Sequence, residues 1–99
     1  MQKHSADLDR LNASELGKAI AARFSVPVRR IDAFETTDID DDEYVEINVY
    51  FGLSKEPLPL NFFYKVMGFA GDWLSRLDLD APTVVIPHLH DKQKVIERA

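Results

Sequence analysis

Apolar residues recur with the most regular helical spacing in residues 61–77, NFFYKVMGFAGDWLSRL. They form two neighbouring series at steps of three and four, namely Phe62, Val66, Phe69 and Trp73, and Phe63, Met67, Ala70, Leu74 and Leu77. Together the two series make an apolar face far wider than a surface helix needs. We therefore predict a long helix that is covered on more than one side, by a sheet and, as one alternative, by a second copy of the protein.

Two glycines, Gly68 and Gly71, lie inside this helical segment. Each costs about 1 kcal/mol relative to alanine in a helix interior. Either the helix breaks there into two shorter helices, or the missing side chains let another element pack closely on its backbone. The sequence leaves both alternatives open.

A shorter helix is predicted to begin at Asn12. With Asn12 as the N-cap, Glu15 takes the third helical position and completes a capping-box pair. The helix is expected to end before Pro27, because the residue before a proline avoids helical backbone angles.

After this helix the period of the apolar pattern changes to two. Residues 28–37 and 44–51 both alternate apolar and polar side chains, as strands covered on one face do. The five residues 38–42 between them are predicted to close a hairpin. The register that keeps the apolar residues on one face pairs Thr37 with Glu43, Ala33 with Ile47, Ile31 with Val49 and Asp32 with Asn48.

A third strand is predicted at residues 83–89, and a short terminal helix at residues 91–99. The order α-β-β-α-β favours an α+β fold, a two-layer sandwich in which the hairpin and the third strand pack under the long helix. Residues 1–11 are polar and are expected to form a loose arm, which leaves residues 12–99 as a single domain. The order of the strands within the sheet does not follow from the sequence.

The net charge of −5 and the pI of about 5.0 limit the class of partner. Binding to a polyanion usually needs a basic domain or a dense basic stripe. This chain has neither, which argues against ordinary nucleic-acid binding. It also has no cysteine, no cofactor motif and no apolar run of the roughly 20 residues that cross a membrane. We expect a cytoplasmic protein that needs no cofactor.

The acidic run DIDDDE at residues 38–43 is the strongest polar feature. Asp38, Asp40 and Asp42 have the alternate spacing that opens a calcium-binding EF-hand loop, but Glu43 and Val49 stand where that loop needs glycine and glutamate. Three interpretations remain: a solvated turn that discourages edge aggregation, a weak divalent-cation site, or an acidic surface that docks a basic partner.

His88 and His90 lie two residues apart at the end of the third strand. Asp91 follows them. A His-x-His pair can supply two ligands to a metal ion, but the sequence does not name a third ligand. A metal-dependent activity through these histidines is one alternative function. The other interpretations are a pH-sensitive surface pair and ordinary strand-end polarity.

If the long helix breaks at its glycines, the order becomes α-β-β-α-α-β. That order, with Val66-Met67 followed by Gly68-Phe69-Ala70-Gly71, resembles the second, prokaryotic type of KH domain, in which a GxxG loop clamps a nucleic-acid backbone. The chain departs from the family at Phe69 and Ala70, where basic or polar residues are usual. The resemblance implies nucleic-acid binding through the 68–71 loop and a basic surface built from Arg23, Arg29, Arg30 and Lys65.

The aromatic residues are many for one small core to hide together with the aliphatic ones, although one alternative is that all of them are core or partly exposed. Their surplus indicates a protein interface, of which a two-fold dimer is the simplest. No catalytic motif is present, so we predict a small protein-binding domain without catalytic activity that self-associates or docks a basic partner; an inhibitor or immunity-type protein is one specific version. The residues predicted to bind the partner are Asp38, Asp40, Asp41, Asp42, Glu43, Phe62, Phe63, Phe69 and Trp73.

Overall fold

Three helices and three strands make up the computed structural model, which describes residues 5–96. They are α1 (Ser5–Arg10), α2 (Ala13–Phe24), β1 (Val28–Thr37), β2 (Glu43–Phe51), α3 (Phe62–Ser75) and β3 (Thr83–His88). From α2 onward the order is α-β-β-α-β, so the predicted α+β fold is confirmed. No helix in this part of the chain is long and apolar enough to cross a membrane.

The strands form one mixed sheet in the order β1-β2-β3, with β1 antiparallel and β3 parallel to β2. A slip of one residue would move every apolar side chain of β2 to the other face, so the register is strongly specified. The predicted register is confirmed at each of its four pairs, Thr37–Glu43, Ala33–Ile47, Ile31–Val49 and Asp32–Asn48.

The core lies between one face of the sheet and the helices α2 and α3. α2 packs against β1, and α3 packs against β3. Four alternate residues of β2 point into this layer and are at most 1% exposed, namely Val45, Ile47, Val49 and Phe51. The helices contribute the buried Leu16, Ile20, Val66 and Ala70. The arrangement is the predicted two-layer sandwich, and no described helix covers the other face of the sheet.

Both ends of α2 are capped. Asn12 has an extended backbone, and its Oδ1 accepts a hydrogen bond from the Glu15 N–H at 3.1 Å, as predicted. At the other end Ser25 adopts left-handed backbone angles, and its N–H donates to the Ala21 carbonyl. These bonds satisfy backbone groups that a helix end leaves without partners.

Replacing Asn12 with alanine is expected to lower the free energy of unfolding by about 1 kcal/mol, because the Glu15 N–H loses its capping acceptor. Urea denaturation followed by circular dichroism measures this change. Asn12→Asp keeps an acceptor at the same place and is expected to stay close to the wild type. Equal losses in both variants would contradict the capping role.

The structure differs from the loose arm predicted for residues 1–11. Residues 5–10 form α1, and Asp7 on this helix is 1% exposed. Its two carboxylate oxygens accept hydrogen bonds from the backbone N–H groups of Asp80 at 2.8 Å and Ala81 at 2.9 Å. Arg10 donates to the carbonyl of Asp78 at 3.0 Å. These contacts fix the arm to the loop between α3 and β3, while residues 1–4 lie outside the described residues.

The predicted C-terminal helix is wrong as far as residue 96, and residues 97–99 lie outside the described residues. The segment instead pairs with the loop that precedes α3. Leu58 donates to the Lys94 carbonyl at 3.0 Å, and the N–H of Ile96 donates to the Leu58 carbonyl at 2.7 Å. Because Leu58 is buried, its backbone groups need such partners within the protein.

α3 is continuous through Gly68 and Gly71 and ends at Ser75, two residues before the predicted end. Asn61 precedes the helix but makes no side-chain capping bond. The order α-β-β-α-α-β that the KH resemblance implies is therefore not found. Residues 68–71 lie inside a helix and do not form a loop.

Candidate interaction surfaces

Of the four α3 aromatic residues predicted to bind a partner, Phe62 belongs to the core. It is 4% exposed, and its ring packs edge-on against two other phenylalanine rings at centroid distances of 5.6 and 5.3 Å. Phe69 and Trp73 are half-buried, and Phe63 is 43% exposed. Phe63 is therefore the most accessible of the four, and Phe62 is the least accessible.

The apolar surface that α3 and the turn before it leave in water belongs mostly to residues that the prediction did not include. The exposed residues are Leu60 (60%), Phe63 (43%), Tyr64 (78%) and Met67 (42%). One signal in the sequence points to Tyr64. Tyr64 belongs to neither apolar series of the helix, so it has to lie on a third side.

One line of exposed residues runs along the outward side of α3 at steps of four, three and four. It consists of Tyr64, Gly68, Gly71 and Ser75, hereafter the outer stripe. Apart from its chain neighbours and the adjacent backbone of α3 itself, a Cβ atom at either glycine would meet no atom of the described chain within 4 Å. Within residues 5–96 neither explanation predicted for the glycines therefore applies, since the helix does not break and no described element packs on them.

The outer stripe has a different flank on each side, because successive helical residues are rotated by about 100°. Lys65 and Asp72 lie on the flank toward α2, where both line a cleft between the helices. Phe63 and Met67 lie on the opposite flank. One flank is thus charged with both signs, and the other is apolar.

The predicted acidic surface is exposed at the connection between β1 and β2, hereafter the acidic tip (residues 38–42). Asp38 Oδ1 accepts hydrogen bonds from the N–H groups of Asp40 at 2.8 Å and Asp42 at 3.0 Å. The side-chain oxygens of these three residues converge within 4.8 Å, the one group of potential metal ligands among residues 5–96. Ile39 in the same turn is 97% exposed.

A cleft of about 640 Å³ opens between α2 and α3, hereafter the α2–α3 cleft. Its floor is apolar and includes Phe24, Leu58, Phe62 and Phe69, and its rim carries Arg23, Lys65 and Asp72. The basic surface expected from the KH resemblance is thus only partly assembled. Arg23 and Lys65 come together at the cleft, whereas Arg29 and Arg30 lie on β1.

Comparison with known protein families, with curated proteins and with solved structures gave no match. The function has to be inferred from the chemistry of these surfaces.

The uncovered face of the sheet carries a chain of polar contacts that the sequence did not reveal. Asn48 is 7% exposed; its Oδ1 lies 2.7 Å from His88 Nε2, and its Nδ2 donates to Glu46 at 2.9 Å. The His88 ring stacks on Tyr50 with centroids 4.5 Å apart, and the Arg30 guanidinium lies 4.2 Å from the centre of the same tyrosine ring. These contacts fix side chains from all three strands.

Arg30 is also bonded along its own strand. Its Nε donates to Asp32 Oδ2 at 3.0 Å, and this hydrogen bond raises the pKa of the guanidinium above its ordinary value. The side chain therefore remains a cation stacked on the tyrosine.

The two histidines considered as metal ligands lie in different surroundings. His88 belongs to the sheet network, whereas His90 Nδ1 lies 3.2 Å from Asp91 Oδ1 and accepts a hydrogen bond from the Lys92 N–H. Among residues 5–96 they do not join a group of three potential metal ligands.

Proposed function

We propose that the protein is a small protein-binding domain that pairs with a second copy of itself through the outer stripe of α3. The observation that carries this proposal is a pair of helix glycines on which no other element of residues 5–96 packs, beside four exposed apolar side chains. We expect no catalytic activity. The cytoplasm remains the expected location, because small secreted domains are commonly stabilised by disulfides and this chain has no cysteine.

The two glycines are unfavourable in the isolated helix. Together Gly68 and Gly71 cost about 2 kcal/mol of helix stability relative to alanine. Nothing in the described chain offsets this cost, because no element approaches either position. A second helix packed on the outer stripe offsets it, since bare backbone lets two helix axes come close and increases their van der Waals contact.

An antiparallel copy of α3 fits the outer stripe and both of its flanks. When identical helices pair about a two-fold axis, each flank meets the same flank of the other copy in reverse order. A crossing near Gly68 then places Lys65 of each copy beside Asp72 of the other, because the two residues lie at similar distances on either side of the crossing. The apolar flanks, with Phe63 and Met67, meet in the same way.

The size of the surface is adequate for a modest dimer. From their exposed fractions, the four apolar side chains leave on the order of 400–500 Å² in water, given roughly 200 Å² for each residue. A continuous apolar patch of about 300–600 Å² is the largest that a typical monomer exposes, and such patches are often functional. With the glycines and the stem of Lys65, the contact approaches the roughly 800 Å² per partner of a standard interface.

Tyr64→Glu is expected to convert the dimer into a monomer. Tyr64 is 78% exposed, so the change leaves the core untouched, but in the pair it brings a new carboxylate close to Asp72 of the other copy. Light scattering across a dilution series measures the mass. We expect 11.3 kDa for the variant and twice that mass for the wild type.

Ser14→Glu is the matched control, because it adds the same charge to an exposed position in the first turn of α2. This variant is expected to remain dimeric. A wild type that is monomeric at every concentration would overturn the proposal, and so would a Tyr64→Glu variant that dimerises as strongly as the wild type.

A further inference from the structure

Ile39 is the most exposed large apolar residue of the described chain, at 97%. It lies in the acidic tip between Asp38 and Asp40, and two more aspartates follow. The turn has a defined shape, because the N–H groups of Asp40 and Asp42 both bond to the Asp38 carboxylate. The tip thus presents one apolar side chain surrounded by carboxylates, which suits an apolar cavity with a basic rim.

The α2–α3 cleft is such a cavity. The rings of Phe24, Phe62 and Phe69 form much of its floor, and Arg23 and Lys65 lie on its rim. The Arg23 guanidinium lies 5.3 Å from the centre of the Phe24 ring, at the edge of the floor. The volume of about 640 Å³ is in the range of sites that hold a small ligand, so it accommodates an isoleucine side chain.

The acidic tip and the α2–α3 cleft lie at opposite ends of β2, because the tip precedes the strand and Phe62 of the cleft packs on Phe51, the last residue of the strand. The tip precedes β2, whereas Leu58 and Pro59 of the cleft follow it. The nine residues of β2 span about 30 Å at roughly 3.3 Å per residue. A chain therefore cannot place its own tip in its own cleft, and the occupant has to come from another molecule.

We infer that the acidic tip of one copy docks in the α2–α3 cleft of another copy, with Ile39 on the phenylalanine floor. Asp40 and Asp41 then face Arg23 and Lys65, so the charges on the two surfaces are complementary. Because the two surfaces differ, the contact is heterologous, and its repetition gives a chain or a ring of copies. This contact goes beyond the proposed two-fold dimer, although Lys65 and Asp72 lie at the edge of both surfaces.

Two variants with complementary defects test the inference. Ile39→Asp removes the apolar side chain of the tip and leaves the cleft intact, whereas Arg23→Glu reverses a rim charge and leaves the tip intact. Both residues are exposed, so neither change disturbs the core. Each variant is made in the Tyr64→Glu background, which removes the proposed two-fold contact and keeps the two ideas separable.

Analytical ultracentrifugation measures association of each protein alone and of the equimolar mixture. The Tyr64→Glu parent is expected to form larger species as its concentration rises, and each double variant is expected to associate at least about tenfold more weakly than the parent. The mixture is expected to form a 1:1 complex with the affinity of the parent, because it contains one intact tip and one intact cleft. A monomeric parent, a monomeric mixture, or a double variant that associates as strongly as the parent would each overturn the inference.

Replacing Asp72 provides a second test, in which association is expected to strengthen where the previous variants weaken it. Asp72 is the acid on the rim of the cleft, where it repels the acidic tip. In the Tyr64→Glu background, Asp72→Asn is expected to strengthen association about threefold, whereas Asp91→Asn, at an exposed acid that does not line the cleft, is expected to have no effect. Equal strengthening by both changes would indicate general charge attraction and would count against docking in the cleft.

Discussion

Replacing Asp7 with alanine is expected to lower the free energy of unfolding by about 3 kcal/mol. The carboxylate is 1% exposed and accepts hydrogen bonds from two backbone N–H groups, those of Asp80 and Ala81. Hydrogen bonds to a charged group contribute about 1.5–3 kcal/mol each, and a buried donor left without an acceptor costs about 1–3 kcal/mol. The loss is large because the change removes the contact that holds α1 and leaves both N–H donors without their acceptor.

Urea denaturation measures this loss, and hydrogen exchange locates it. In Asp7→Ala, the amide of Ala81 is expected to exchange faster than in the wild type, since its bond to the carboxylate is gone. Glu56→Ala, at an exposed acid in the loop before α3, is the control and is expected to change stability by less than about 0.5 kcal/mol. An Asp7→Ala protein as stable as this control would contradict the anchoring role.

The hairpin of β1 and β2 can be predicted from the sequence because every signal it needs is local. Alternation of apolar and polar residues sets the face of each strand, and the five-residue connection fixes which residues face each other. The pairs from Ile31–Val49 to Thr37–Glu43 follow from these two facts alone. The capping of α2 by Asn12 is predictable for the same reason, since the donor lies three residues away.

Asp7 is a residue whose structural role local sequence patterns do not predict. The backbone groups that it binds lie 73 and 74 residues further along the chain, and nothing near Asp7 marks it as buried. The sequence does not predict the contact between Asn48 and His88, for a related reason. It depends on β3 lying beside β2 and parallel to it, and the sequence does not fix the order of the strands.

The candidate surface on α3 was only partly predictable. The apolar face of the helix is wide, but Phe62, Val66, Ala70 and Leu74 on this face are buried in the core. The exposed residues include Tyr64 and the two glycines, which do not stand out in a count of apolar positions. Their significance appears only when the structure shows that no element of the described chain packs on them.

Alanine at Gly68 and Gly71 is expected to change folding and association in opposite directions. In the monomer each added methyl group meets open space, so each change is expected to raise the free energy of unfolding by about 1 kcal/mol. In the two-fold pair the same methyl groups stand between the two helices and keep them apart. The double variant is therefore expected to dissociate at least about tenfold more readily, a loss of about 1.4 kcal/mol.

The free energy of unfolding and the dissociation of the dimer have to be measured separately, because association stabilises the folded state by mass action. Unfolding is followed in the Tyr64→Glu background, where the proposed contact is absent, and dissociation is followed by light scattering with Tyr64 intact. Ala22→Gly, at an exposed position of α2, is the reverse control and is expected to destabilise the fold without changing dissociation. A helix pair that packs on the bare backbone of α3 cannot accommodate four added methyl groups without separating. A Gly68→Ala/Gly71→Ala protein that is more stable, and yet dimerises as the wild type does, would therefore show that this backbone is not the contact surface.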